Sequence, residues 1–147
     1  MYYFAYGSNM NKELMLKRAP DSRFYGKGVL KDYSLGFTIY EEGRWSGGGC
    51  ADVIYRPGEE VWGLAYTVSP SDAEKLDLAE GEPYRRINKT IEMDGGERIE
   101  AFLYEVIDKM PHRNPSVQYL NIFKRAAEKH QFPEAYKNFL GAIKTID

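Results

Sequence analysis

Val61-Trp62-Gly63-Leu64-Ala65-Tyr66-Thr67-Val68-Ser69-Pro70-Ser71-Asp72 holds two periodicities side by side. Up to Val68, bulky residues (Trp62, Leu64, Tyr66, Val68) alternate with smaller ones, and period two means a strand. Ser69-Pro70 then opens a helix. Ser69 serves as cap, Pro70 suits the first turn, and Asp72 favours the positive end. The helix is expected to end near Ala79, just before Glu80-Gly81. Arg85–Met93 and Glu97–Ile107 follow as two strands joined by Asp94-Gly95-Gly96, a hairpin signal.

Upstream, Tyr2–Ala5 reads as a short buried strand that breaks at Gly7-Ser8-Asn9. A helix over Asn11–Arg18 places Leu14, Met15 and Arg18 at helical spacing, and Pro20 stops it. Arg23–Leu30 and Tyr33–Tyr40 read as separate strands, and Glu41–Gly49 as a glycine-rich loop carrying Trp45. Ala51–Tyr55 is a further strand, closed by a Pro57-Gly58 turn. Downstream, a loop over Pro111–Pro115 precedes a helix from Ser116 to about His130, with Val117, Leu120, Phe123 and Ala127 on one face. A last short helix covers Pro133–Leu140. Many short strands, few helices and no βαβ alternation predict an α+β fold: a small, mostly antiparallel β-barrel or curled sheet with helices outside it.

The bulk properties narrow the class. A chain of 147 residues, 43% apolar, suits one domain over residues 1–147 with a substantial core. A net charge of −2 with both signs mixed gives no reason to expect a nucleic-acid or membrane partner. The lone Cys50 excludes an internal disulfide and a multi-cysteine zinc site. No apolar run is long enough for a bilayer span or a signal peptide, so the expectation is a soluble cytoplasmic protein.

Three segments carry candidate chemistry. At Tyr6-Gly7-Ser8-Asn9 a strand ends and a helix begins. Consecutive amides in such a turn suit a carboxylate or an oxyanion, with Ser8 and Asn9 as further hydrogen-bonding groups. An ordinary strand-to-helix turn has the same pattern. Glu80 stands at the negative pole of its helix, against local preference. Enclosed by aromatics, its pKa would rise to where a carboxylate both takes and gives a proton; a solvated glutamate at a helix end is the plainer alternative. In Pro115-Ser116-Val117-Gln118-Tyr119, Tyr119 lies in a first helical turn, its hydroxyl aimed at a ligand or merely wet. Cys50, with His112 or His130 as base, has the residue types of a cysteine hydrolase, but a lone cysteine beside an apolar segment is usually inert. Arg85, Arg86 and Lys89 form a basic cluster suited to a substrate carboxylate or to a solvated strand face.

Tyr3-Phe4-Ala5-Tyr6-Gly7-Ser8-Asn9 resembles the N-terminal signature of the γ-glutamyl cyclotransferase-like superfamily. Leu76-Asp77-x-x-Glu80-Gly81 with Tyr84-Arg85-Arg86 resembles its catalytic segment. Gly48-Gly49-x-Ala51 and Pro57-Gly58-Glu59-Glu60-Val61-Trp62-Gly63 are similar to the pieces between. Pro115-Ser116-x-Gln118-Tyr119 is similar to a segment of the cytosolic type acting on γ-glutamyl amino acids. The match runs from about Tyr2 to Leu140. The resemblance implies a small barrel with flanking helices, a possible homodimer, a small-molecule γ-glutamyl substrate, and neither metal nor organic cofactor. It implies Glu80 as general acid/base and Tyr3, Phe4, Ala5, Tyr6, Gly7, Ser8, Asn9, Tyr84 and Tyr119 as substrate-binding residues. Two features depart from the pattern: the short, acidic Glu82-Pro83 link, which bears on substrate preference, and Cys50, where an aliphatic residue is expected.

The implied reaction is intramolecular: the α-amine attacks the γ-carbonyl, 5-oxoproline forms and an amino acid leaves. Two alternatives share the residues. One is a relative that cyclises γ-glutamylamines or removes a γ-glutamyl cap from a biosynthetic intermediate. The other is a binding module without turnover.

Overall fold

The computed structural model describes residues 1–147. Its strands are β1 (Tyr2–Ala5), β2 (Arg23–Ile39), β3 (Cys50–Thr67), β4 (Tyr84–Met93) and β5 (Arg98–Val106). They close a barrel in the order β1-β3-β2-β4-β5. Every pairing is antiparallel except the seam, where β1 meets β5 in parallel through Tyr3 and Phe102. The barrel is thus mixed. A four-residue N-terminal strand buried on both sides completes it, which is why Phe4 and Ala5 are fully buried.

The two longest strands differ from expectation. Arg23–Ile39 form one strand rather than two, and β3 runs through the expected turn at Pro57-Gly58. The turn chemistry is nevertheless real. The register steps from Lys31↔Glu60 to Tyr33↔Tyr55, so Arg56 to Glu59 bulge out opposite Asp32. Asp32 at φ 65° and Gly58 at φ 89° take left-handed backbone there, and the Gly58 amide donates to Asp32 Oδ1 at 3.0 Å. A bulge of this kind bends a strand without ending it, and a closed barrel needs such bends.

The helices are α1 (Lys12–Arg18), α2 (Pro70–Glu80), α3 (Val117–Lys129) and α4 (Glu134–Gly141). Asn11, Ser69 and Ser116 cap the first three by accepting from Leu14 N, Asp72 N and Tyr119 N. Asp72 is more than a first-turn acid: fully buried, it accepts the Asp21 amide at 2.7 Å and ties the end of α1 to α2. One apolar cluster of 34 buried residues joins the barrel to the helices through Phe37, Phe123, Leu76 and Leu120.

A second buried acid, Asp52, pins the strands beside the cavity described below. Its carboxylate accepts from Thr38 Oγ1, Val53 N and Val106 N at 2.7–2.9 Å and pairs with Lys109 Nζ at 2.9 Å. A fully buried carboxylate is tolerated because each oxygen has partners.

Candidate active site

One cavity opens where β1 ends, where α2 ends and where the 41–49 loop crosses. It is lined by Tyr3, Tyr6, Gly7, Ser8, Asn9, Arg44, Trp45, Ala51, Glu80, Tyr84, Tyr104 and Tyr119. The sequence-derived candidates Tyr3, Tyr6, Gly7, Ser8, Asn9, Glu80, Tyr84 and Tyr119 therefore meet in one place. Phe4 and Ala5 do not line it. Strand alternation turns Phe4 toward Gly63, where a Cβ would come within 2.7 Å of its ring, and Ala5 is spent on the β1–β3 ladder.

Glu80 is the last residue of α2, and its side chain is 17% exposed. Gly81 follows at φ 86°, ψ −178°, a conformation reserved for glycine. It redirects the chain at once, so that Glu80 and Tyr84 reach the same cavity across the short Glu82-Pro83 link. Burial pushes the Glu80 carboxyl above the usual carboxylate range, and Arg44 and then Arg18 pull it partly back. A carboxyl raised in this way keeps its proton to higher pH than a solvated glutamate does.

Facing it is the turn after β1. Its first internal bond is Met10 N to Gly7 O at 3.0 Å, so the Ser8 and Asn9 amides precede the helical ladder and are free of it. Arg18, from α1, donates to Ser8 Oγ at 3.0 Å and to Asn9 Oδ1 at 2.6 Å. That fixes the Asn9 amide, whose Nδ2 donates to the Tyr3 hydroxyl at 2.9 Å. The cation is thereby locked behind the turn. Gly7 stands beside Tyr119: a Cβ there would meet the Tyr119 hydroxyl at 3.7 Å, an ordinary contact.

The hydroxyls of the lining tyrosines divide by partner. Tyr6 donates to Tyr104 O at 2.5 Å, Tyr84 to Ala51 O at 2.8 Å, and Tyr104 to Asp77 Oδ1 at 2.6 Å. Their protons are committed to the scaffold. Tyr3 and Tyr119 instead accept, from Asn9 and from Ala51 N at 2.9 Å. Each keeps its own O–H to donate into the cavity. Burial raises the pKa of all five phenols, so they stay neutral donors.

The other candidates lie elsewhere. Cys50 is buried, its thiol is pushed up to about 11 by burial, and it is outside the lining. His112 contacts Asn114, and His130 stacks on Phe24. A thiol held protonated and without a histidine is no nucleophile. Arg85 pairs with Glu105, Arg86 with Asp77, and Lys89 sits over the Tyr33 ring, and none of the three lines the cavity. No group of three or more His, Cys, Asp or Glu side chains is placed to hold a metal. No helix is long and apolar enough to cross a membrane.

Sequence reasoning missed Arg18, Arg44, Ala51, Tyr104 and the site role of Trp45. Arg18 and Tyr104 showed only helix spacing and strand alternation, and Ala51 contributes backbone alone. Arg44 and Trp45 sat in a loop whose glycines gave no direction.

Fold and cavity together define a small closed barrel beside a cavity lined by a single carboxylate, Glu80. Comparison with known proteins specifies the family. The family described as "Gamma-glutamyl cyclotransferase, AIG2-like" matches residues 3–121. The γ-glutamylcyclotransferase of Bos taurus is 32% identical over 153 residues, covering 99% of this chain and 79% of the relative. That of Homo sapiens is 32% identical over 151 residues, with the same coverages. A solved γ-glutamyl cyclotransferase structure superposes with a TM-score of 0.92 at 30% identity, covering all of this chain and 89% of that one. The chain belongs to the γ-glutamyl cyclotransferase, AIG2-like family, and its relatives are named as enzymes.

Proposed function

We propose that this protein is a γ-glutamylcyclotransferase that converts L-γ-glutamyl amino acids to 5-oxo-L-proline and the free amino acid. The observation that carries this reading is Glu80: a carboxyl enclosed by tyrosines, raised by burial and facing the Gly7–Asn9 turn across one cavity. The substrate's α-amine has an ordinary pKa of about 8 and is mostly protonated at neutrality. Glu80 takes its proton. The freed nitrogen attacks the γ-carbonyl carbon, a ring C–N bond forms, and Glu80 returns the proton to the departing nitrogen as the original amide C–N bond breaks. The second proton of the ring nitrogen then passes through Glu80 to the released amine, which leaves as an ammonium. No other acid is required.

The turn and the two donating phenols, Tyr3 and Tyr119, hold the γ-glutamyl group curled. Orientation is the larger part of the catalysis, since an intramolecular attack gains most from holding the ends together. Hydrogen bonds to the developing oxyanion supply the rest. In this reading residues 1–147 act as one domain, in the cytosol, with a homodimer as the assembly to test by sedimentation. The reaction is tested by incubating the purified protein with L-γ-glutamyl-L-alanine and measuring 5-oxoproline. Release of 5-oxoproline and alanine in equal amounts is expected. Release of glutamate and alanine instead would mean hydrolysis and refute cyclisation.

A further inference from the structure

Among the residues lining the cavity, Arg44 is the single cation, and the proposed reaction as described gives it no task. Its Nη1 donates to the Glu80 backbone carbonyl at 3.0 Å. Its Nη2 stands 3.9 Å from Glu80 Oε2, beyond hydrogen-bond distance. The guanidinium also lies 5.7 Å from the centroid of the Tyr84 ring. It is thus held by one terminal nitrogen and over the Tyr84 ring, with the rest of its donor fork left uncommitted beside the acid. Its side chain is 28% exposed, so it stands at the mouth of the cavity, on the loop. The second cation nearby, Arg18, is already engaged by Ser8 and Asn9 behind the turn.

A γ-glutamyl amino acid carries two carboxylates. The one on the glutamyl part belongs with the part that must be enclosed and curled, and the amide-rich turn backed by Arg18 suits it. The other is on the leaving amino acid, two bonds from the nitrogen that Glu80 protonates. The leaving group must depart through the mouth. A carboxylate so close to that nitrogen falls beside Glu80 on the open side, where Arg44 presents its fork, and guanidinium is well matched to carboxylate.

Resting on the cyclisation reading, we infer that Arg44 is a specificity-determining residue that binds the carboxylate of the leaving amino acid and so selects γ-glutamyl amino acids over γ-glutamylamines. The bound carboxylate replaces Glu80 as the anion nearest the fork, so a correct leaving group also loosens Arg44's hold on the acid.

The test compares L-γ-glutamyl-L-alanine with L-γ-glutamylethylamine, which differ only in the leaving-group carboxylate. Wild type should favour the alanine substrate in kcat/KM by at least ~30-fold, a charge-assisted contact made with one substrate alone. Arg44→Gln should bring that ratio to within about threefold of unity, with Arg44→Lys in between. Any general disturbance of Glu80 or of the loop slows both substrates alike and cancels in the ratio. Equal use of both by wild type would overturn the inference and leave the cyclisation reading intact. So would an unchanged ratio in Arg44→Gln. Absence of 5-oxoproline from both substrates with wild type would overturn the cyclisation reading itself, and the inference with it.

Discussion

The two walls of the cavity are built on opposite terms. The wall made by β1 and its turn is fixed from within. Tyr3, Asn9 and Arg18 form a hydrogen-bonded chain, and Asp52 pins the neighbouring strands. The wall made by the 41–49 loop is bent into place from outside. Trp45 and Ser46 hold consecutive left-handed conformations at φ 47° and 57°, costing roughly 1–2 kcal/mol each for non-glycine residues. The loop keeps that shape because Arg113 Nε grips Gly47 O at 2.6 Å, Asn114 O accepts from Gly49 N, and Trp45 packs on Tyr119 at 4.6 Å. In the proposed reaction the enclosed part of the substrate lies against the first wall and the departing part against the second.

Breaking the rigid wall should have the largest effect. Asp52→Ala leaves Lys109 and two strand amides without their anion and should lower stability by about 3–5 kcal/mol in urea unfolding. Unfolding within 1 kcal/mol of wild type would show that the strands beside the cavity need no such pin. The loop's seating should rank next. A Cβ at Gly49 would lie 2.1 Å from Arg113 O, so Gly49→Ala must push the loop off its support, at about 1–3 kcal/mol. Trp45 fluorescence should report the displacement, and an unchanged spectrum would contradict it. Arg44→Gln should be smaller again, within about 1 kcal/mol in stability, because the Arg44–Glu80 pair is long and stands at the mouth. A loss near that of Asp52→Ala would mean that the loop wall, too, is fixed by charge.

The smallest effect concerns pH. Burial raises the Glu80 pKa in the folded chain, so the folded state holds its proton more tightly than the unfolded state. The stability linked to that proton is fully present below the unfolded-state pKa. It is lost as pH rises through the folded-state value. Glu80→Gln has no such loss, so the difference between variant and wild type should shift in the variant's favour as pH climbs out of the ordinary carboxylate range. Parallel stability curves would contradict a raised pKa.

These walls were unequally legible in the sequence. The first wall was readable because its signals are local: a strand that stops at Gly7 and a helix that follows it over Asn11–Arg18. Where reading failed, a long-range contact overrode a local sign. Pro57-Gly58 has the chemistry of a turn, yet the ladder resumes beyond it because Arg56 to Glu59 bulge out of β3 opposite Asp32 of β2. Phe4 and Ala5 belong to the same motif as Tyr3 and Tyr6, but they pack against β3 and do not line the cavity. The loop wall was not readable. Gly47, Gly48 and Gly49 announce a loop, but its direction is set by residues 113–116, more than sixty positions on, and so Arg44 went unnoticed.

The central claim is that one carboxyl, Glu80, moves every proton in the reaction, and Glu80→Gln tests it most directly. The variant keeps the shape and hydrogen-bonding reach of the side chain and loses only its ability to take a proton. With L-γ-glutamyl-L-alanine as substrate, initial rates of 5-oxoproline release are compared between wild type and variant, with matched circular dichroism confirming the fold. The account predicts a fall of at least ~10²-fold in kcat. A folded variant that turns over at near the wild-type rate would contradict it.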